Sequence, residues 1–315
     1  MAGKVLLTDH PWPGTELERT AFAAAGLELV EAPNGDEATL AQLAQNVIAI
    51  CTCWAHVTET VIAAATQCRI VARLGIGLDN IDIPAATQRG MLVTNIPDYC
   101  VEEVADHAWG QMLALTRNIG FYHLRTKQGE YNLKAGPTMH RLRGRTLGLI
   151  GLGRIGQAVC TRAQASGVNV IAHTASGNDH GTGCRMVSLD DLLQQSDLVS
   201  IHAPLTAETH HLLNAEKLSL CKPGQYIVNT SRGPLIDPDA LLNELHSGRI
   251  AGVALDVFEP EPPDLNLPLY RHEQVIVTPH AAFVSEESVT ELRERVARQV
   301  VTCLQGGTPE NIVNR

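Results

Sequence analysis

Three short segments in the second half of the chain place reactive side chains directly after apolar runs. In Val228-Asn229-Thr230-Ser231-Arg232-Gly233 an arginine follows a strand-like run, and a glycine beside it allows close backbone approach. The planar guanidinium there offers a rigid fork to a carboxylate. In Ala254-Leu255-Asp256-Val257-Phe258-Glu259-Pro260-Glu261-Pro262 three carboxylates follow one apolar run, and only one or two of them can face a common site. In Val277-Thr278-Pro279-His280 a lone histidine stands behind a proline. At a strand end, with a carboxylate available, such a histidine is placed for proton transfer.

A fourth segment supplies the context. Thr146-Leu147-Gly148-Leu149-Ile150-Gly151-Leu152-Gly153-Arg154-Ile155-Gly156 sets a complete G-x-G-x-x-G pattern behind a short apolar strand and ahead of a helix. Gly151 suits a tight turn, Gly153 leaves room for the backbone to approach a pyrophosphate, and Gly156 lets the helix pack on its strand. Together with Arg154 and Ile155, whose N–H groups open the helix, these are the candidate cofactor contacts. The chemistry implied is that of a dinucleotide held beside a proton-carrying histidine.

Short apolar runs alternate with helical patterns along the whole chain, which predicts an α/β protein with parallel sheets. In the first part the strands are expected at Val5 to Thr8, Leu27 to Val30, Val47 to Cys51, Ile70 to Leu74 and Met91 to Val93. A second series of six begins with Leu147 to Ile150, just before the glycine pattern, and ends with Val275 to Val277. Between the two series a single apolar helix is expected from Val101 to Phe121, long enough for a domain or subunit contact. The last helix, from Glu286 to Leu304, has no sheet of its own and should return to the first domain. The fold expected is α/β with two doubly wound parallel-sheet domains. A dinucleotide-binding Rossmann domain over 98–283 is inserted into a flavodoxin-like substrate domain formed by 1–97 and 284–315, with crossings near Pro97 and Phe283.

Length and composition agree with this. The chain has 315 residues, 44% apolar and 18% charged, as expected for two ordinary globular domains. A formal charge of −10 disfavours nucleic acid or an anionic membrane surface as partner. No apolar run reaches membrane-spanning length and no secretory leader pattern opens the chain, so a cytoplasmic location is expected. The eight cysteines are scattered without a C-x-x-C pair and are read as buried thiols in a reducing compartment. His210-His211 is read as an exposed pair and no metal site is expected, because helical H-x-x-x-H spacing and nearby acidic ligands are both missing.

In this order the G-L-G-R-I-G turn, the N-T-S-R-G segment, the D-V-F-E-P-E-P segment and the T-P-H segment resemble the D-isomer-specific 2-hydroxyacid dehydrogenase family. The resemblance runs over nearly the whole chain, including Arg73-Leu74-Gly75-Ile76-Gly77-Leu78-Asp79-Asn80. Thr278 to Phe283 followed by Ser285-Glu286 is most similar to the C-terminal-binding-protein branch, whose animal members carry tryptophan in place of Phe283. The resemblance implies that Arg232 binds the substrate carboxylate and carbonyl, that His280 exchanges the proton, and that Glu261 pairs with the other imidazole nitrogen. It further implies Thr230 and Asp256 as cofactor contacts, with Asp256 on the nicotinamide carboxamide, and Arg73, Gly75, Ile76 and Gly77 as substrate contacts. The three catalytic groups would then share an interdomain cleft, in a homodimer acting on a small 2-keto or D-2-hydroxy acid.

Thr174 stands where NAD-specific members carry an aspartate for the ribose, and no arginine or lysine follows it to grip a phosphate. NAD(H) is therefore the expected cofactor, with NADP(H) also used. Two alternatives share these motifs: a dinucleotide-sensing corepressor-like module, and a phosphite-type dehydrogenase built on the same Arg, Glu and His.

Overall fold

The structure, a computed structural model, describes residues 3–315. The chain divides into two compact units, one running to Tyr99 and resuming at Ser285–Arg315, the other spanning Cys100–Val284.

The first unit holds β1 (Gly3–Leu7), β2 (Leu27–Glu31), β3 (Ala49–Thr52), β4 (Ile70–Arg73) and β5 (Leu92–Thr94). They form one parallel sheet in the order β2-β1-β3-β4-β5, the flavodoxin-like winding. Every residue of β3 and β4 is buried, which is why these strands read as unbroken apolar runs and not as alternating ones. The C-terminal helix Glu286–Leu304 belongs to this unit and starts in a capping box between Ser285 and Ser288. Its buried residues Leu292, Val296, Val300 and Cys303 recur on one face, which packs on the helix Glu16–Ala24 and on β4. Arg293 locks that packing by donating to both Glu18 carboxylate oxygens at 2.7 Å.

The second unit holds seven parallel strands: β6 (Thr146–Ile150), β7 (Asn169–His173), β8 (Arg185–Met186), β9 (Leu198–Ile201), β10 (Gln225–Asn229), β11 (Ile250–Leu255) and β12 (Val275–Val277). One strand more than expected is present, because β8 is only two residues long and carries no apolar run to announce it. The order β12-β11-β10-β9-β6-β7-β8 reverses direction between β6 and β9. Loops leaving those two strands part from each other, and the crevice between them is where such sheets take ligands.

The long apolar helix differs from expectation. It ends at Thr116, and a separate helix runs over Ile119–Lys127. Asn118 makes the break: it adopts φ 51°, a left-handed conformation that asparagine tolerates, and its side chain donates to the Pro137 carbonyl at 2.9 Å. The buried face of Val101–Thr116 packs within its own unit on β10, β11 and the helix Arg154–Ala165.

Candidate active site

The glycine turn leaves β6 at the point where the strand order reverses. Gly151 has φ 97°, and a Cβ there would lie 2.5 Å from the His202 carbonyl oxygen on the loop after β9. A Cβ on Gly156 would run into the Gly151 carbonyl oxygen. Both positions therefore require glycine for packing reasons alone. Gly153 is different: its φ is an ordinary −67°, and a Cβ there would meet nothing within 4 Å. The bare space lies directly at the start of the helix Arg154–Ala165, whose N-terminus has no side-chain cap. Backbone N–H groups of Arg154, Ile155 and Gly156 open that helix, which is the arrangement that receives a pyrophosphate.

Two hydroxyls flank the same crevice. Thr174 directly follows β7, with its Oγ1 3.4 Å from Ser176 Oγ. Thr230, directly after β10, has a buried Oγ1 with no hydrogen-bond partner among the described residues. A buried hydroxyl left in this state is costly unless a ligand completes it. The bare Gly153 space, the uncapped helix and the unsatisfied Thr230 together fit a dinucleotide.

No local pattern marks His202, which follows β9 at the switch point. Its Nε2 lies 2.9 Å from Ser200 Oγ, and burial holds the imidazole down to about 4. At neutral pH it packs the glycine turn without bringing a charge to it.

Arg232, Glu261 and His280 come from the ends of three adjacent strands, β10, β11 and β12. The loops carrying Arg232 and Glu261 touch: a Cβ on Gly233 would overlap the Phe258 carbonyl group. His280 Nδ1 lies 2.7 Å from Glu261 Oε2, and Glu261 Oε1 accepts from the Phe258 N–H at 2.9 Å. Burial pushes the Glu261 carboxyl up, but the His280 imidazole, the Phe258 N–H and the Arg232 charge outweigh it and hold the group below the usual carboxylate range. An ionised carboxylate can only accept, so the hydrogen of this contact sits on His280 Nδ1.

The backbone fixes this histidine as firmly as its partner does. His280 has φ 51°, a region a β-carbon-bearing residue enters only when its surroundings compel it. Its N–H donates to the Asp256 carbonyl oxygen at 2.8 Å. The Asp256 carboxylate is fully buried beneath the same loop, accepting from Thr278 Oγ1 at 2.5 Å and from the Ala281 and Ala282 N–H groups at 2.9 Å. These bonds tie Asp256 to the loop that carries His280. Thr278 is held in turn by Gln111 Nε2 at 3.0 Å and lies 3.1 Å from His107 Nε2. His107 and Gln111 are four apart on an otherwise apolar helix face, the one signal by which the sequence could have shown them.

Residues 109–282 match the family model for D-isomer specific 2-hydroxyacid dehydrogenase, NAD binding domain. The chain belongs to that family. It is 35% identical over 312 residues to a glyoxylate reductase of Thermofilum pendens, covering 97% of this chain and 92% of the relative. Among solved structures, a D-lactate dehydrogenase of Aquifex aeolicus complexed with NAD and lactic acid superposes with a TM-score of 0.89 at 30% identity, covering 99% of each chain. An NADPH-dependent glyoxylate/hydroxypyruvate reductase of Sinorhizobium meliloti, in complex with NADP and malonate, gives a TM-score of 0.89 at 30% identity over 99% of this chain and 97% of that one. The chain is thus a nicotinamide-dependent 2-hydroxyacid dehydrogenase, with the two α/β sheets that family requires.

In the first unit, Arg73 ends β4 and Leu74 to Gly77 follow it. Arg73 is buried and donates Nε to Asn80 Oδ1 at 3.1 Å and Nη1 to the Leu74 carbonyl. Gly75 has φ 153°, and a Cβ there would lie 2.6 Å from Arg73 Nη1. The Gly75 and Ile76 carbonyls are held by the Ile96 N–H at 3.1 Å and by Asn95 Nδ2 at 2.7 Å. The guanidinium thus lies under the turn and shapes it. All eight cysteines are buried and unbridged. Among the described residues no helix is long and apolar enough to cross a membrane.

Proposed function

We propose that this chain reduces a small 2-keto acid of glyoxylate or hydroxypyruvate size to the D-2-hydroxy acid, and catalyses the reverse oxidation, with NAD(H) preferred and NADP(H) accepted. The observation that carries the reading is the Glu261–His280 pair at 2.7 Å, set on the strand next to the one that delivers Arg232. Bound nicotinamide supplies or takes the hydride. Negative charge then builds on the substrate oxygen, and His280 Nε2 delivers the proton that neutralises it. Glu261 keeps the imidazole oriented and opposes the positive charge that develops on it during proton transfer. Arg232 receives the substrate carboxylate and its neighbouring oxygen through a planar pair of donors. Gly75, Ile76 and Gly77 offer backbone N–H groups suited to a carboxylate, on a turn supported by Arg73. Gly151, Gly153, Arg154, Ile155, Gly156, Thr174, Thr230 and Asp256 hold the dinucleotide.

We further propose a cytoplasmic homodimer. Eight unbridged thiols suit a reducing compartment. Ile119, Leu124, Tyr131 and Leu133 are exposed, Tyr131 by 98%, and form the apolar surface on which a second copy would seat. Sedimentation of a single 34.0 kDa species at micromolar concentration would refute the dimer.

The deciding assay is loss of NADH absorbance with glyoxylate, hydroxypyruvate and pyruvate, for the wild type and His280→Ala. The variant should lose about 10²–10⁴ in turnover while still binding NADH. Lost NADH binding with undiminished residual turnover would show that the roles are wrongly assigned.

A further inference from the structure

His210-His211, unremarkable in the sequence for want of an acidic neighbour, acquires one in the fold. Glu259 lies against both rings: His210 Nε2 is 3.6 Å from Oε1, and His211 Nε2 is 3.3 Å from Oε2. The two imidazoles stack with centroids 4.1 Å apart and planes 26° apart, so each presents its Nε2 to a different oxygen of one carboxylate. Ligand atoms of all three residues lie within 4.8 Å of one another. Two ligands of a tetrahedral ion bound at about 2.0–2.1 Å are about 3.3 Å apart, close to both observed separations.

The arrangement is built into the backbone and not a chance meeting of mobile side chains. His211 sits at φ 49°, in the left-handed region, and its N–H is fixed to the Pro234 carbonyl oxygen at 2.7 Å. We propose that His210, His211 and Glu259 form a binding site for a divalent transition ion of the zinc class, with a further coordination position left to water. Two imidazoles and a carboxylate suit Zn²⁺, Ni²⁺ or Cu²⁺, whereas Mg²⁺ prefers oxygen ligands throughout. None of the three residues belongs to the proton-transfer set, yet Glu259 is two positions from Glu261 and Pro234 two positions from Arg232. An ion here would tie the loop that carries Glu261 to the His210–His211 loop, which is bonded in turn to the Arg232 loop through the Pro234 carbonyl.

Without an ion the same geometry is that of two partly exposed His–Glu pairs, which contribute little to stability. Titration calorimetry of the full chain with Zn²⁺ at neutral pH separates the cases. Expected are one ion per chain, no displacement by excess Mg²⁺, and weaker binding as the imidazoles protonate on acidification. His211→Ala and Glu259→Gln should each weaken binding by at least about tenfold, the loss that even an outer-shell change produces. Zn²⁺ should also raise the melting temperature of the wild type and not of the variants, and His210→Ala provides a third test should either variant melt abnormally. Absence of saturable binding, or equal affinity in wild type and variants, would overturn the site.

Discussion

Replacing Glu261 by glutamine removes one charge and almost no volume, which isolates what the carboxylate does for His280. In the oxidative direction the proton leaves the 2-hydroxy acid and arrives at His280 Nε2, so positive charge develops on the imidazole in the transition state. Glu261 Oε2 lies 2.7 Å from Nδ1 and opposes that charge. A hydrogen bond to a charged partner contributes roughly 1.5–3 kcal/mol, and full Coulomb attraction at this range would be larger. The Glu261 side chain is 32% exposed and that of His280 22%, so solvent screens part of the attraction. The lower half of the range applies: about 2 kcal/mol, or about thirtyfold in kcat/KM.

The amide can still accept from the Phe258 N–H, the bond that now measures 2.9 Å, so the loop should keep its shape. Steady-state oxidation of a competent 2-hydroxy acid by NAD⁺ reads the effect, while NADH fluorescence titration and a thermal melt show whether binding and fold survive. Normal binding, a normal melt and a kcat/KM within about twofold of wild type would mean a contribution below about 0.4 kcal/mol. The carboxylate would then have no part in stabilising the charged imidazole.

Gly153→Ala should fold normally, since a Cβ there meets nothing within 4 Å, yet weaken dinucleotide binding by at least about tenfold, whereas Gly151→Ala should also lower the melting temperature. Discrimination between NADH and NADPH should stay within about a thousandfold in kcat/KM, about 4 kcal/mol, and Thr174→Asp should shift it toward NADH by repelling a 2′-phosphate. Asp197→Asn should cost about 1–2 kcal/mol at neutral pH, because the carboxylate accepts from Lys222 Nζ at 2.7 Å and the Thr146 N–H at 2.9 Å. Burial pushes Asp197 up, but Lys222, Thr146 and Arg145 hold it below the usual carboxylate range. Its stabilisation is therefore present above the unfolded-state value and lost as pH falls through the folded one. Melts of wild type and variant should converge on acidification, and a gap that stays constant would show the charge to be irrelevant.

What could be read from residues alone was whatever depends on short-range pattern. Parallel strands buried on both faces announce themselves as apolar runs, so all five strands of the first sheet and six of seven in the second were legible, while two-residue β8 was not. The break at Asn118 was missed because apolar residues continue on both sides, and the left-handed turn depends on a bond to Pro137 far along the chain. Glu259 beside His210 and His211, and His202 behind Gly151, are likewise meetings of separate loops that no local spacing encodes.

Asp256 shows why the same limit applies to roles. Its position after β11 marked it as a residue at a ligand-gathering strand end, yet burial decides what a carboxylate there can do. Sealed from solvent and accepting from Thr278, Ala281 and Ala282, it opposes the cost of holding His280 at φ 51°. Removing it would release the loop before it affected any contact with substrate. His280 is thus placed by backbone bonds within one unit of the chain, and its geometry is set without substrate. Selectivity for the substrate side chain must then come from residues that this rigid loop leaves free to differ, which is why the catalytic set alone does not name the 2-keto acid.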